Sequence, residues 1–155
     1  MAYRATQAVA PILDQIDTVA AFPFGTRFEA ADGAYVYVKG VTSGLAGDWV
    51  TFNPSSGVTV RTVANAKGKV GILMAALDAT TKFGWAQVKG SNAIALSGAA
   101  VAASVPIYLH ATAGTVDDAV VSGDLVANAF STVANIGAGV FTVYINDPFV
   151  TDTLS

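Results

Sequence analysis

The chain has 155 residues, 53% of them hydrophobic and 12% charged, with a net charge of −3, one His and no Cys. That length fits one domain with a core that needs no cross-links, and the lack of Cys excludes disulfides, thiolate nucleophiles and sulfur-ligated zinc. Ordinary domains carry about 25% charged residues, so a surface this sparse in charge points to a chain covered by partners in an assembly.

Residues 1–22 differ from the rest of the chain. Behind Pro11, which suits a first helical turn, Ile12, Ile16 and Val19 fall at helical spacing, so a short amphipathic helix is one expectation. An extended arm that lies on another surface is the other. Asp14 and Asp17 interrupt the apolar stretch a signal peptide would need, so no targeting segment is expected and synthesis in a cytoplasm is.

From residue 23 to 155 the chain reads as one β domain of short strands set apart by Gly, Asp and Asn. Residues 24–28 lead to Asp32-Gly33, a dipeptide of tight hairpins, and Tyr35-Val-Tyr-Val38 then reads as a strand on aromatic and β-branched content. Gly44 to Asp48 reads as a turn, Trp49 to Phe52 as a strand, and Asn53-Pro-Ser-Ser-Gly57 as a loop. Val58, Val60 and Val63 follow, and residues 66–69 close that strand pair. The stretches 70–77 and 125–133 fit a helix or a strand by period. Each precedes a polar or Gly-rich break and a strand, FGWAQV (83–88) or VFTVYI (140–145), so two hairpins are expected. The repeated Val-Lys-Gly at 38–40 and 88–90 reads as strand-ending punctuation: Lys reaches water and Gly turns. Turns every 8 to 12 residues fit a β-barrel or β-sandwich of antiparallel strands.

Charge is unevenly spread. Residues 1–90 hold all eight Lys and Arg with six acids, whereas residues 91–155 hold five Asp and no Lys or Arg. Copies stacked head to tail would use that difference, and solvated faces would explain it as well. No dense basic groove exists for nucleic acid. Residues 91–116, with no Asp, Glu, Lys or Arg, are the one stretch apolar enough to suggest a membrane span. Gly98, Pro106 and the alternation of Val105, Ile107 and Leu109 read instead as buried strands.

The catalytic inventory is thin. His110 would have to be the base of any Ser-His-Asp triad, and no Gly-x-Ser-x-Gly elbow accompanies it, so a rim or interface position is expected. Asp117 and Asp118 would point to opposite faces of a strand and so form no glycosidase pair. Glu29 is the single Glu, no calcium loop is present, and Gly137-Ala-Gly139 leads to a strand where a phosphate cradle needs a helix. No cofactor or metal is expected. Tyr35, Tyr37, Trp49, Phe83 and Trp85 could form a stacking platform for sugars. Tyr35 and Tyr37 share a face, a pattern that more often makes a core or subunit ladder.

The order FPFGTRFEAADGAYVYVKG (22–40), SGLAGDWV (43–50), VGILMAAL (70–77), FGWAQVKG (83–90) and SVPIYLHATAGTV (104–116) resembles the decoration or cement proteins of tailed-bacteriophage heads. The resemblance implies an enzymatically inert β-barrel or β-sandwich on the outer capsid surface of the virion, partnered by the major capsid protein and assembled with its own copies, a trimer being favoured. By analogy the N-terminal segment is an arm that reaches a neighbour, with Ile12, Leu13, Ile16 and Val19 as the expected contacts; from the strand pattern itself, Tyr35, Tyr37 and Trp85 are expected in core ladders or subunit contacts. A tail or head-fibre component and a carbohydrate-binding or host-adhesion module resting on Trp49, Trp85 and the two tyrosines are the alternatives.

Overall fold

Ten strands organise the computed structural model, which describes residues 11–152: β1 (Arg27–Ala30), β2 (Gly33–Lys39), β3 (Trp49–Phe52), β4 (Thr59–Arg61), β5 (Gly68–Leu73), β6 (Phe83–Ser97), β7 (Pro106–Leu109), β8 (Val116–Asp117), β9 (Leu125–Val133) and β10 (Gly139–Val150). The fold is all-β, as expected from the sequence, and no helix occurs among the described residues. None is therefore long and apolar enough to cross a membrane.

The pairings close on themselves. β6 pairs with β10, β10 with β9, β9 with β7, β7 with β8, and β8 returns to β6 through Ser97 and Val116. The first half of β6 pairs instead with β2 and β5, and β5 continues to β3 and β4. One 15-residue strand thus belongs to a closed ring at its C-terminal end and to a second curved sheet at its N-terminal end. Both expected hairpins form, β5 against β6 and β9 against β10, each antiparallel.

Two interiors result from this arrangement. Ile107, Val126, Phe141, Val143 and Ile145 fill the ring together with Trp49 and Ile72. Val36, Val38, Val50, Leu73, Ala86 and Val88 fill the space inside the second sheet. Burial of such side chains contributes about 1.5–3 kcal/mol each, and alternation along the strands decides which interior each enters. On β3, Trp49 faces one and Val50 the other.

The Val-Lys-Gly echo has two different outcomes. Lys39 does end β2 before Gly40, but Lys89 and Gly90 lie inside β6, which continues to Ser97. The two echoing stretches are antiparallel partners, with Tyr37 opposite Trp85 and Lys39 opposite Phe83. Gly90, at φ +104°, packs against the Asp32 carbonyl with no room for a side chain. It therefore permits a kink in a strand where a turn was expected. The hairpin at Asp32-Gly33 also moves by one residue: Ala30 pairs with Gly33, which leaves Ala31 and Asp32 as its tip. The strand expected over 70–77 stops at Leu73, and around Val58, Val60 and Val63 only Thr59–Arg61 pairs.

The kink in β6 is held by amides. Register shifts on both sides of it mark bulges. Buried Gln87 donates through Nε2 to the carbonyls of Lys89 (2.9 Å) and Ser91 (3.0 Å), and Asn92 Nδ2 donates to Gln87 Oε1 at 2.8 Å. Ile94 N–H donates to Asn92 Oδ1 at 2.9 Å. Backbone groups freed by the bulges find partners in two side chains, as buried polar groups must.

The uneven charge of the two halves is also answered within the chain. Arg27 grips Asp147 through its two terminal guanidinium nitrogens (2.7 and 3.2 Å), and Lys67 lies 3.3 Å from Asp152. Basic residues of the first half thus meet acids of the second.

Candidate functional site

The expected helix over Ile12, Ile16 and Val19 does not form within residues 11–22; the rest of that segment, residues 1–10, lies outside the described residues. The segment runs across the open face of β2 and β6. Asp17 N–H donates to the Phe83 carbonyl and Phe83 N–H to that of Asp17, both at 2.8 Å, a two-bond bridge that a helical Asp17 could not make.

A side-chain clip lies beside the bridge. Tyr37 Oη donates to Asp17 Oδ2 at 2.6 Å and accepts the Ala21 N–H at 3.1 Å. Burial pushes the Tyr37 hydroxyl up to about 12; the Ala21 N–H opposes that rise and Asp17 adds to it. Phe22 lies edge-on to Tyr37 and tilted to Trp85, each at 5.3 Å between centroids, and Phe24 stacks on Tyr37 at 6.1 Å. Tyr35, Tyr37 and Trp85 are consequently buried as one cluster, with Leu13, Phe24, Phe28 and Phe83 packed against it.

The seven residues singled out by sequence therefore separate. Tyr35, Tyr37, Trp85 and Leu13 face inward under the segment, whereas Ile12, Ile16 and Val19 point outward from it, exposed by 63%, 39% and 80%. Trp49 is fully buried inside the ring. The rings that would stack on a sugar, Trp49, Trp85, Tyr35 and Tyr37, are thus covered by the chain itself. Sequence reasoning missed Gln87, Asn92 and Asp17 as organisers. The signal available for the first two was a pair of amides in an otherwise apolar run.

Groups with chemical potential are engaged structurally. His110 is half-buried; its Nδ1 accepts the Thr112 N–H at 3.0 Å, and its Nε2 lies 3.9 Å from Asp117 Oδ2. Gly98 packs against the imidazole where any side chain would collide with it. Asp118 Oδ2 accepts the Ala102 N–H at 2.8 Å. Buried Asp48 has its pKa raised, by desolvation first, with Arg61 and the Leu45 N–H pulling it back. Asp48 Oδ2 accepts the Leu45 N–H at 2.8 Å and sits 2.7 Å from Arg61 Nε, an ion pair although that N–H is aimed at no acceptor; Arg61 Nη2 donates to Oδ1 at 3.2 Å. It ties the Gly44–Asp48 turn to β4. A depression of about 180 Å³ has Val36, Phe52 and Val88 at its base and the Arg27–Asp147 clamp at its rim, so its one carboxylate is already neutralised.

Among the described residues, exposed large apolar side chains include Ile12, Ile16 and Val19 on the N-terminal segment, Leu45, the end strand's Val58, Val60 and Val63 near Lys67 and Lys69, Val120 and Val121 before β9, and those on the outer face of β9 and β10. Comparison with known protein families, curated proteins and solved structures gives no significant match in any of the three.

Proposed function

We propose that this chain is a non-enzymatic structural protein of a tailed-phage virion, a decoration or cement protein that binds the major capsid protein on the outer head surface as a homo-oligomer. The observation that carries the reading is the ridge on the N-terminal segment. Two backbone hydrogen bonds and the Tyr37–Asp17 clip hold the segment to the sheet, yet Ile12, Ile16 and Val19 point away from it. Exposed apolar side chains on a segment already bonded to the sheet lose little entropy on docking, which suits contact with a repeating shell. Many modest contacts repeated over a lattice make collective release improbable, and binding only to assembled shells stabilises them by mass action.

Quantitative mass spectrometry of purified particles tests the reading. The chain should be present in hundreds of copies, and adding the pure protein to shells that lack it should raise their disruption temperature. Val19→Asp, on the ridge, should weaken shell binding at least about tenfold, since it places a charge in an apolar contact. Absence from particles, or shells indifferent to the protein, would overturn it.

A further inference from the structure

We infer that the outer face of the β9–β10 hairpin, with the strands on either side of it, is where this chain meets a second copy of itself. The face spans four strands: Pro106 on β7 lies opposite Phe130 on β9, Phe130 opposite Tyr144 on β10, and Tyr144 opposite Ser91 on β6. Phe130 and Tyr144 join their rings at 5.6 Å between centroids. Val140 is exposed on the same face, Val133 pairs with Thr142, and Ile136 at the hairpin tip is wholly open to solvent.

Two properties separate this face from an ordinary solvated sheet. It holds no charge: residues 125–146 and 91–109 contain no Asp, Glu, Lys, Arg or His. It is also large. From their fractional exposures, Phe130, Val133, Ile136, Val140 and Tyr144 together present roughly 600 Å², the upper limit of the largest apolar patch on typical monomers. About 800 Å² per partner makes a standard interface, so these five side chains supply most of one. Nothing among the described residues covers them.

The chemistry selects a copy of the chain as occupant. The polar side chains on these strands' outer face are the hydroxyls of Ser91, Thr132, Thr142 and Tyr144 and the exposed amides of Asn128 and Asn146, and hydroxyl and amide groups both donate and accept. Such a face satisfies its own image, with no like charges to repel across a symmetric contact. Glu29, Asp32 and Lys89 line the depression beside Tyr144 and give the patch a rim of both signs, the layout of an apolar contact bordered by polar residues. The valines of the β4 end have Lys69 beside them, with Lys67 already paired to Asp152, so two such ends would bring their Lys69 charges together. Of the two sheet surfaces, the β9–β10 face is the self-compatible one.

The inference deepens the function proposed above by naming the self-contact of the homo-oligomer. It is tested on the purified full chain without shells, so the two readings fail separately. Sedimentation equilibrium should find a multimer at micromolar concentration. Tyr144→Lys and, separately, Val140→Lys should each raise the dissociation constant at least about 30-fold, as loss of a central contact does, with an unchanged far-ultraviolet dichroism spectrum. Val60→Lys on the β4 end should leave the mass as it was. A monomeric wild-type chain at about 100 µM, a concentration far above that of an ordinary stable oligomer's dissociation, would overturn the inference. So would folded Tyr144→Lys and Val140→Lys proteins that keep the wild-type mass, or a Val60→Lys protein that falls apart. If the pure chain is monomeric yet binds shells through this face, the occupant is the capsid protein and the self-contact is wrong.

Discussion

The two halves of β6 meet different fates although one strand contains both. From Gly84 to Val88 every residue is buried, whereas from Lys89 onward burial alternates. In the first half one face packs into the second interior and the other is roofed by residues 12–24 of the same chain. In the second half the inner face enters the ring and the outer face belongs to the uncharged surface shared with β9 and β10. A sheet face without charge needs a cover; the chain supplies one cover itself and leaves the other face open, the face proposed above for a second copy.

Truncating one aromatic from each half tests that contrast most directly. Trp85→Ala removes a ring that contacts Phe22, Phe28 and Tyr37, and should lower folding stability by about 3–5 kcal/mol, the usual cost of deleting a buried aromatic. Tyr144→Ala on the open face removes only its ring pair with Phe130 and should lower the stability of the dissociated chain by about 0.5–1.5 kcal/mol. Urea denaturation of both at low protein concentration measures the difference. Equal losses would mean that the two halves are not differently covered.

The joint between the halves comes next in size. Gln87→Leu keeps the side-chain volume but leaves the Lys89 and Ser91 carbonyls and the Asn92 amide without their partner. A cost of about 3 kcal/mol is expected, because unsatisfied buried polar groups cost more than the average hydrogen bond contributes. If Gln87→Leu proves as stable as wild type in the same denaturation experiment, the bulges hold themselves and the amides are passengers.

Aromatic and β-branched content and turn residues made the strands at 35–38, 49–52 and 140–145 readable, the repeated strand–break–strand plan decided 125–133, and the class of the fold came with them. Other features could not be read because they depend on long-range partners. The spacing of Ile12, Ile16 and Val19 is genuinely helical, yet Asp17 is held extended by the backbone of Phe83, far along the chain. Lys89-Gly90 has the composition of a strand end, but Gly90 is needed for close approach to Asp32, and the strand runs on because β10 offers it a second partner. Of the site, the aromatics were legible as a same-face ladder. Their roof was not, since local sequence does not say that Phe22 and Phe24 fold back onto Tyr37 and Trp85.

A smaller loss than that at the joint tests the roof itself. Tyr37→Phe keeps the ring and removes the hydroxyl that donates to Asp17 and accepts from Ala21. About 1.5 kcal/mol should be lost at pH 8, in the range for a hydrogen bond to a charged group, and a protease should cut near residues 17–22 faster. The pH dependence discriminates further. With the folded hydroxyl at about 12 and an unfolded tyrosine near 10, the clip contributes fully below about pH 10 and is lost as the pH climbs toward 12, because the unfolded chain releases that proton first. Tyr35, also raised by burial first and by Asp32 next, adds to the same alkaline decline. Tyr37→Phe should therefore make the alkaline loss of stability shallower without abolishing it. An alkaline slope identical to wild type, together with unchanged proteolysis, would show that the segment is held by the Asp17–Phe83 backbone bonds and the phenylalanines alone.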